Sequence, residues 1–300
     1  MNSTLSPRDL AHAVGVSESS IKRWADEGSI RVSRTRGGHR RIQMSEAIRY
    51  IRTSGLPLQR PELLGLGDLR AVDFMNPGVH EASTPLLEFL FSGKAEESRG
   101  LVLALYLGGA SVVEIIDGPV RSALEKSGSE GYGNSGEEAG NRAGEICIQA
   151  LTQLRFLLPE PSDAPYALGG AMQGDTCTLP SLAVAVALRS LGYKVVNLGP
   201  DASLAAMVQA ARALSPRFVW LTCTSPNPVT PSDEDMASFD RDIRDLDCGL
   251  FLYGAHTDRA ILPRPADGVF TRLPQIAEAA HARLAMPTAD AADGGDRTLS

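Results

Sequence analysis

Apolar residues along this chain follow two different spacings, and the change from one to the other divides the sequence. Up to residue 158 they recur every three or four positions, which predicts amphipathic helices. From residue 166 onward, short apolar runs alternate with helical stretches, which predicts strands alternating with helices. The pattern therefore predicts a helical N-terminal part followed by an α/β C-terminal part.

Residues 1–57 carry the pattern of two short helices, a hairpin and a third helix. Ser6 and Pro7 are typical of a helix start, and Ser17 is suited to cap the second helix. Two helices joined by a tight turn form a helix-turn-helix, and paired glycines between β-like runs predict a hairpin, or wing. We expect DNA contacts from the second helix and the wing, namely from Ser19, Ser20, Lys22, Arg23, Arg34, Arg36, Gly38, His39, Arg40 and Arg41.

Residues 58–77 are predicted to be a linker, since prolines and glycines interrupt them. Short loops separate the helical runs that follow, which favours an antiparallel four-helix bundle over residues 78–160. Gly118-Pro119 predicts a kink in the third of these runs. The runs lie at about 80–92, 94–108, 110–127 and 137–158.

The C-terminal part, residues 165–285, is predicted to be a parallel sheet with helices on both faces. In such sheets ligands bind at the carboxyl edge, where the loop 174–180 follows the first strand. The Asp- and Gly-rich tail, 286–300, is predicted to be disordered. The expected strands are 166–171, 193–198, 218–223, 249–253 and 268–270, and the expected helices are 181–190, 203–214, 233–245 and 274–284.

Composition narrows the class of protein. The hydrophobic share of 43% and the charged share of 22% are typical of a globular chain. No apolar run is long enough for a membrane span, and no signal peptide is apparent, so we expect a cytoplasmic protein without a membrane partner. The four cysteines form no CxxC pair, so neither a disulfide framework nor a zinc site is expected.

The charge is divided unevenly along the chain. Residues 1–60 contain 11 Lys and Arg against 5 Asp and Glu, whereas the whole chain has a net charge of −7. A basic head on an acidic body favours binding of double-stranded DNA by the head. Because helix-turn-helix proteins usually bind paired half-sites, we expect a homodimer or a higher homo-oligomer.

Two motifs in the head resemble MerR-type regulators. Ser-Ile-Lys-Arg-Trp at 20–24 resembles the recognition helix of that family, and Gly-Gly-His-Arg-Arg at 37–41 resembles its wing. The layout of head, helical bundle and α/β domain resembles the cobalamin-dependent light-sensing repressors. That resemblance implies an operator-binding repressor whose C-terminal part senses a ligand.

The loop 174–180 resembles the Asp-x-His-x-x-Gly loop of cobalamin-binding domains, with two departures. Asp175 matches, but Cys177 stands in place of the His and Pro180 in place of the Gly. In that family a neutral imidazole ligates the cobalt while the Asp orients it, and no histidine is available here for that role. We therefore predict no protein ligand to a metal at this loop.

The resemblance also implies the rest of a degenerate cofactor pocket. Thr222, Thr224 and Ser225 fall where hydroxyls end the third strand beside the nucleotide tail, and Gly254 falls where the family has a glycine after the fourth strand. The bundle lacks the Trp and the Glu-His pair that cover the cofactor in the light sensors. Tyr132 is the one aromatic candidate to replace them.

These observations predict a multi-domain DNA-binding regulator with no catalytic residues, no resident cofactor and a different gating ligand or protein partner. One alternative keeps the sensor functional through base-on cobalamin, or through another tetrapyrrole held by the Cys177 thiolate. A third hypothesis is a component of a corrinoid-dependent enzyme. It is weaker, because that chemistry needs the missing His and has no use for an arginine-rich wing.

Overall fold

A computed structural model of the chain describes residues 4–72, 78–129, 136–159, 161–225 and 231–284. The chain divides between Glu160 and Pro161 into two compact units. The first unit is mostly helical and the second is α/β, which is the division that the hydrophobic pattern predicts.

The head begins with a short strand and contains the predicted helices and hairpin. Ser6 caps the first helix by accepting from the Asp9 N–H, and the Asp9 carboxylate accepts from the Ser6 N–H. A small antiparallel sheet has the order β1-β3-β2, and Leu10, Ile21 and Ile48 are fully buried beneath it. The elements are β1 Thr4–Leu5, α1 Pro7–Val14, α2 Glu18–Asp26, β2 Ser33–Arg34, β3 Arg40–Gln43 and α3 Met44–Ser54.

The segment predicted as a linker is packed over its described residues. Residues 58–72 contain two 3-10 turns, Pro61–Leu64 and Gly67–Val72, and they bury Leu64 and Leu66. Because these leucines provide apolar surface to bury, the segment folds onto its neighbours instead of extending between domains. Residues 73–77 of the predicted linker lie outside the described residues.

Helical segments follow where the pattern predicts them, and α4, α5, α7 and α8 pack against one another. Where a kink is predicted, α6 continues into a π turn at Ile116–Val120 that contains Pro119. The helices are α4 Ser83–Phe91, α5 Ala95–Leu107, α6 Val112–Ile115, α7 Arg121–Ser129 and α8 Gly136–Leu157.

The second unit is a five-stranded parallel sheet of order β5-β4-β6-β7-β8, which is the flavodoxin-like winding. All five predicted strands are present, and α9 begins three residues before the predicted start at 181. The strands are β4 Tyr166–Ala171, β5 Lys194–Asn197, β6 Phe218–Thr222, β7 Gly249–Tyr253 and β8 Gly268–Phe270. The helices are α9 Thr178–Ser190, α10 Leu204–Leu214, α11 Asp233–Asp245 and α12 Leu273–Leu284.

The sheet buries both of its faces. On one face, Val219, Leu221 and Cys223 pack into a cluster with residues of α10 and α11. Because strand side chains alternate, Phe218, Trp220 and Thr222 lie on the other face, which α9 and α12 cover. None of the helices within the described ranges has both the length and the apolar character that crossing a membrane requires.

Candidate functional site

The second helix of the head, α2, presents two exposed basic side chains. Lys22 pairs with Glu18 at 2.7 Å, and Arg23 lies 3.8 Å from Glu27. Exposed pairs of this kind are weak, so both cations remain available to a stronger anion such as phosphate. The hydroxyls of Ser19 and Ser20 lie 2.8 and 2.9 Å from the Ser17 hydroxyl, so they form part of the helix cap.

The wing ends in a tight turn with its cations exposed. The Gly38 N–H donates to the Thr35 carbonyl at 2.9 Å, and Gly38 has a left-handed φ of 78°, which favours glycine. His39 and the arginines of the wing other than Arg40 are exposed. Across the described ranges, no carboxylate forms an ion pair with Arg34, Arg36 or Arg41.

Arg40 differs from the other predicted DNA contacts. Its side chain is only 18% exposed, because the guanidinium donates to the Lys22 carbonyl at 3.0 Å and pairs with Asp26. Arg40 therefore attaches the wing to α2 and is not free for a phosphate. This contact holds the exposed cations of α2 and of the wing in one surface.

At the carboxyl edge of the larger sheet, the loop after β4 is shorter than the sequence suggests. Cys177 is the N-cap residue of α9, and Pro180 lies within the first helical turn. A proline is tolerated there because the first N–H groups of a helix have no intrahelical partner. Pro180 consequently does not stiffen a loop, and exposed Cys177 does not fill an interior space.

Asp175 is fully buried and joins the loop after β4 to the loop after β6. Its carboxylate accepts from the N–H groups of Thr224 at 2.6 Å, Ser225 at 3.1 Å and Cys177 at 3.0 Å, and from the Thr224 hydroxyl at 3.0 Å. Burial opposes ionisation, but these hydrogen bonds outweigh it and lower the pKa of Asp175 below its ordinary value. The carboxylate is thus engaged by the protein itself.

A second aspartate, which the sequence patterns do not single out, holds the same loop from the other side. The Gly174 N–H donates to Asp201 Oδ1 at 2.7 Å, and the Asp201 N–H donates to the Asp175 carbonyl at 2.7 Å. Asp201 has a φ of 49°, a conformation that Asp tolerates better than most residues. The Gly-Pro-Asp run at 199–201 is the sequence signal for this turn.

The thiol of Cys177 is poorly suited to ligate a metal. Although the residue is exposed, the protein atoms around its thiol desolvate it, and this effect, followed by the neighbouring Asp175 carboxylate, raises the pKa of Cys177 above its ordinary value. The thiolate is the form that binds metals, and both effects disfavour it. In the described part of the chain, no three His, Cys, Asp or Glu side chains form a metal-binding group.

The space beside Thr222 is filled by an indole. Trp220 lies two residues before Thr222 on the same face of β6, is fully buried, and pairs in register with Gly169 of β4. A Cβ on Gly169 would lie 2.2 Å from Trp220 Cδ2, so the glycine makes room for the ring. Neither Trp220 Nε1 nor Thr222 Oγ1 has a hydrogen-bond partner among the described residues.

Of the two remaining pocket candidates, Gly254 is described by the structure and Tyr132 is not. Gly254 has a φ of 132°, and a Cβ there would lie 2.3 Å from the Cys223 carbonyl oxygen, so the glycine permits close backbone packing after β7. Tyr132 lies outside the described residues. The candidates Asp175, Cys177, Thr224 and Ser225 do meet at the carboxyl edge, where they bond to one another.

These residues do not fit cobalamin held by a protein imidazole. The ligating position is a cysteine with a raised pKa, and the orienting carboxylate is occupied by backbone N–H groups. The resemblance places the nucleotide tail beside Thr222, and the Trp220 ring is buried on the same face of β6 two residues away. The fold has the carboxyl edge of the sheet at which a corrin would bind, but position 177 does not provide the imidazole that would ligate its cobalt.

Comparison with solved structures identifies the fold as the cobalamin-binding type. A monomethylamine corrinoid protein of Methanosarcina barkeri aligns over 67% of this chain and 98% of its own, with 15% identity and a TM-score of 0.52. A cobalamin-binding protein from Desulfitobacterium hafniense DCB-2 aligns over 66% and 97%, with 15% identity and a TM-score of 0.35. Neither a protein-family model nor a curated protein sequence matches the chain. The predicted cobalamin-binding-like domain is thereby confirmed as a fold.

Proposed function

We propose that this chain is a DNA-binding transcriptional regulator of the MerR type, acting as a repressor and as a homodimer or higher homo-oligomer. The observation that carries the proposal is the wing, where Arg34, Arg36 and Arg41 are exposed and form no ion pair with a carboxylate of the described residues. Unpaired arginines on an exposed hairpin are suited to phosphate contacts. They lie in a chain whose net charge is −7, so a basic head is not a consequence of overall composition.

The attachment of the wing to α2 supports a single DNA-binding surface. Arg40 joins the hairpin to Asp26 and to the Lys22 carbonyl, close to the basic side chains of α2. In a winged helix-turn-helix, the second helix enters the major groove while the wing contacts the neighbouring backbone. Lys22 and Arg23 would then approach base edges, with the wing arginines on phosphates.

For the α/β domain we propose a sensor fold that no longer binds cobalamin through a protein ligand and has no catalytic activity. The buried, hydrogen-bonded state of Asp175 and the indole of Trp220 buried on the Thr222 face of β6 support this proposal. A different small ligand or a protein partner would then control the regulator. Because the fold is shared with a corrinoid protein, two alternatives remain, a corrinoid-binding sensor and a component of a corrinoid-dependent enzyme. An absorption spectrum separates both of them from a domain that binds no corrinoid.

A gel shift of the full chain with a duplex from upstream of its own gene tests the regulator. We expect a complex that weakens steeply with salt, since six to ten phosphate contacts cost about 10³–10⁵ in affinity between about 50 and 200 mM salt. An unrelated duplex of equal length is the control and should dissociate at lower salt. A chain that shifts neither duplex at low salt would contradict the proposal.

Incubation with adenosylcobalamin in the dark tests the sensor. We expect the protein to leave a desalting column without corrinoid absorbance, because no imidazole is available at the loop and the Trp220 ring is buried on the face of β6 that carries Thr222. Trp220→Ala separates these two causes, since it removes the indole ring but restores no ligand to the cobalt. A stoichiometric corrinoid spectrum retained by the wild type would contradict the proposal, and its shift in Cys177→Ala would identify thiolate ligation.

A further inference from the structure

A cavity of about 370 Å³ lies between the last helix of the head, α3, and helix α5. It is distinct from the carboxyl edge of the larger sheet, because all of its lining residues belong to the first unit. Most of its wall is aliphatic, with α3, the packed segment 56–72 and α5 each contributing. The main apolar contributors are Ile51, Leu58, Leu69, Val72, Ala104 and Leu107.

One cation, Arg52, lines this otherwise apolar cavity. Its guanidinium lies over the Tyr106 ring, with Cζ 3.8 Å from the centroid, and it donates to the Ala110 carbonyl at 3.1 Å. Within the described ranges, no carboxylate forms an ion pair with it. By contrast Arg99, which is 20% exposed, is paired with Asp68 at 2.9 Å.

A partly buried guanidinium that pairs with no carboxylate of the described residues favours the binding of an anion that carries a carboxylate. Arg presents five N–H donors in a planar fork that matches a carboxylate, and one hydrogen bond to a carbonyl leaves most of them available. The aliphatic wall excludes a multiply charged ligand such as a nucleotide, because it offers no further cation to balance the charge. The volume lies at the lower end of the range for small-molecule pockets, about 300–1,000 Å³.

We propose that this cavity binds a small apolar monocarboxylate, with its carboxylate on Arg52 and its hydrocarbon body among the leucines and Ile51. Such a ligand would contact α3, the segment 56–72 and α5 together, and would stabilise their packing by an amount that grows with the logarithm of its concentration above Kd. Ligand binding does not depend on the proposed function. An effect of the ligand on operator binding does depend on it.

Calorimetric titration of the full chain with 2-naphthoate tests the site, and 2-naphthamide is the matched ligand of equal shape without charge. We expect saturable one-to-one binding of the acid, and binding of the amide weaker by about tenfold or more, because a charge-assisted bidentate contact is lost. No saturation with the acid up to about 1 mM, or equal affinities for acid and amide, would overturn the proposal. Both measurements use the wild-type protein and need no variant to fold.

Two variants then locate the site. Arg52→Met keeps the aliphatic stem and should weaken binding of the acid by about tenfold, whereas Leu107→Trp should weaken binding of both ligands by occupying part of the cavity. Arg155→Met, which removes an arginine of α8 that does not line the cavity, should bind like the wild type. Unchanged affinity in folded Arg52→Met would overturn the proposal. These titrations measure ligand affinity and not DNA binding. A negative result for the cavity would therefore leave the regulator hypothesis standing, and a negative gel shift would leave the ligand site standing.

Discussion

Replacing Arg34, Arg36 and Arg41 together by alanine is expected to lower the affinity for duplex DNA by roughly 500-fold at about 0.1 M salt. Each neutralised phosphate releases about 0.9 of a counterion, which corresponds to roughly eightfold in affinity at that salt concentration. The three side chains are exposed and carry no ion pairs among the described residues, so removing them costs the fold little. The loss should fall equally on operator and unrelated duplexes, because phosphate contacts carry no sequence information.

The salt dependence separates this explanation from a general loss of folding. The slope of log K against log salt should become less steep by about 2.7 in the triple variant. Arg70→Ala is the matched control, since Arg70 is exposed, lies outside the head and pairs with Glu62 at 2.9 Å. A triple variant with the wild-type slope would show that the wing does not contact phosphates.

Asp175→Ala is expected to lower the free energy of unfolding of the α/β domain by about 3 kcal/mol. The substitution deprives three backbone N–H groups of their acceptor, and each unsatisfied buried donor costs roughly 1–3 kcal/mol. Partial exposure of Thr224 and Ser225 gives water some access, which keeps the total near the lower end. Urea denaturation in a Trp24→Phe background measures this effect, since the remaining tryptophan is buried Trp220.

The control for this substitution is Asp245→Ala, which removes an exposed carboxylate from the last turn of α11 and should change stability by less than about 0.5 kcal/mol. The effect of Asp175 should also depend on pH. The pKa of Asp175 is lowered in the folded state, so its stabilisation is fully present above the unfolded pKa of about 3.9 and is lost as the pH falls through the folded pKa. The difference in free energy of unfolding between wild type and Asp175→Ala should therefore shrink only below about pH 4. A difference that shrinks near neutral pH would contradict this account.

Local patterns predict most of this fold. The five strands and the helices between them follow from apolar spacing and from proline and glycine placement. The sequence predicts a start of α9 three residues too late because Pro180 suggests a loop, although a proline fits the first helical turn. Residues 58–72 suggested a linker because their turns are visible in the sequence and the burial of Leu64 is not.

The candidate sites depend more on contacts between distant positions. The exposed wing arginines follow from the hairpin pattern, whereas the pairing of Arg40 with Asp26 requires the folded geometry. Trp220 is accommodated because the register of β4 and β6 places it opposite Gly169, and register across a parallel pair cannot be deduced from either strand alone. Two of the partners of Asp175, Thr224 and Ser225, lie 49 and 50 residues away in the sequence.

The hydrogen bonds of Asp175 determine which of the bonded positions tolerate substitution. Its partners at 177 and 225 donate from the main chain, which every amino acid except proline can do. A saturation mutagenesis of these positions should consequently find 177 and 225 permissive and position 175 restrictive. The identity of the residue in the cobalt-ligand position can change without loosening the loop, and a histidine could be installed at 177 with the scaffold intact.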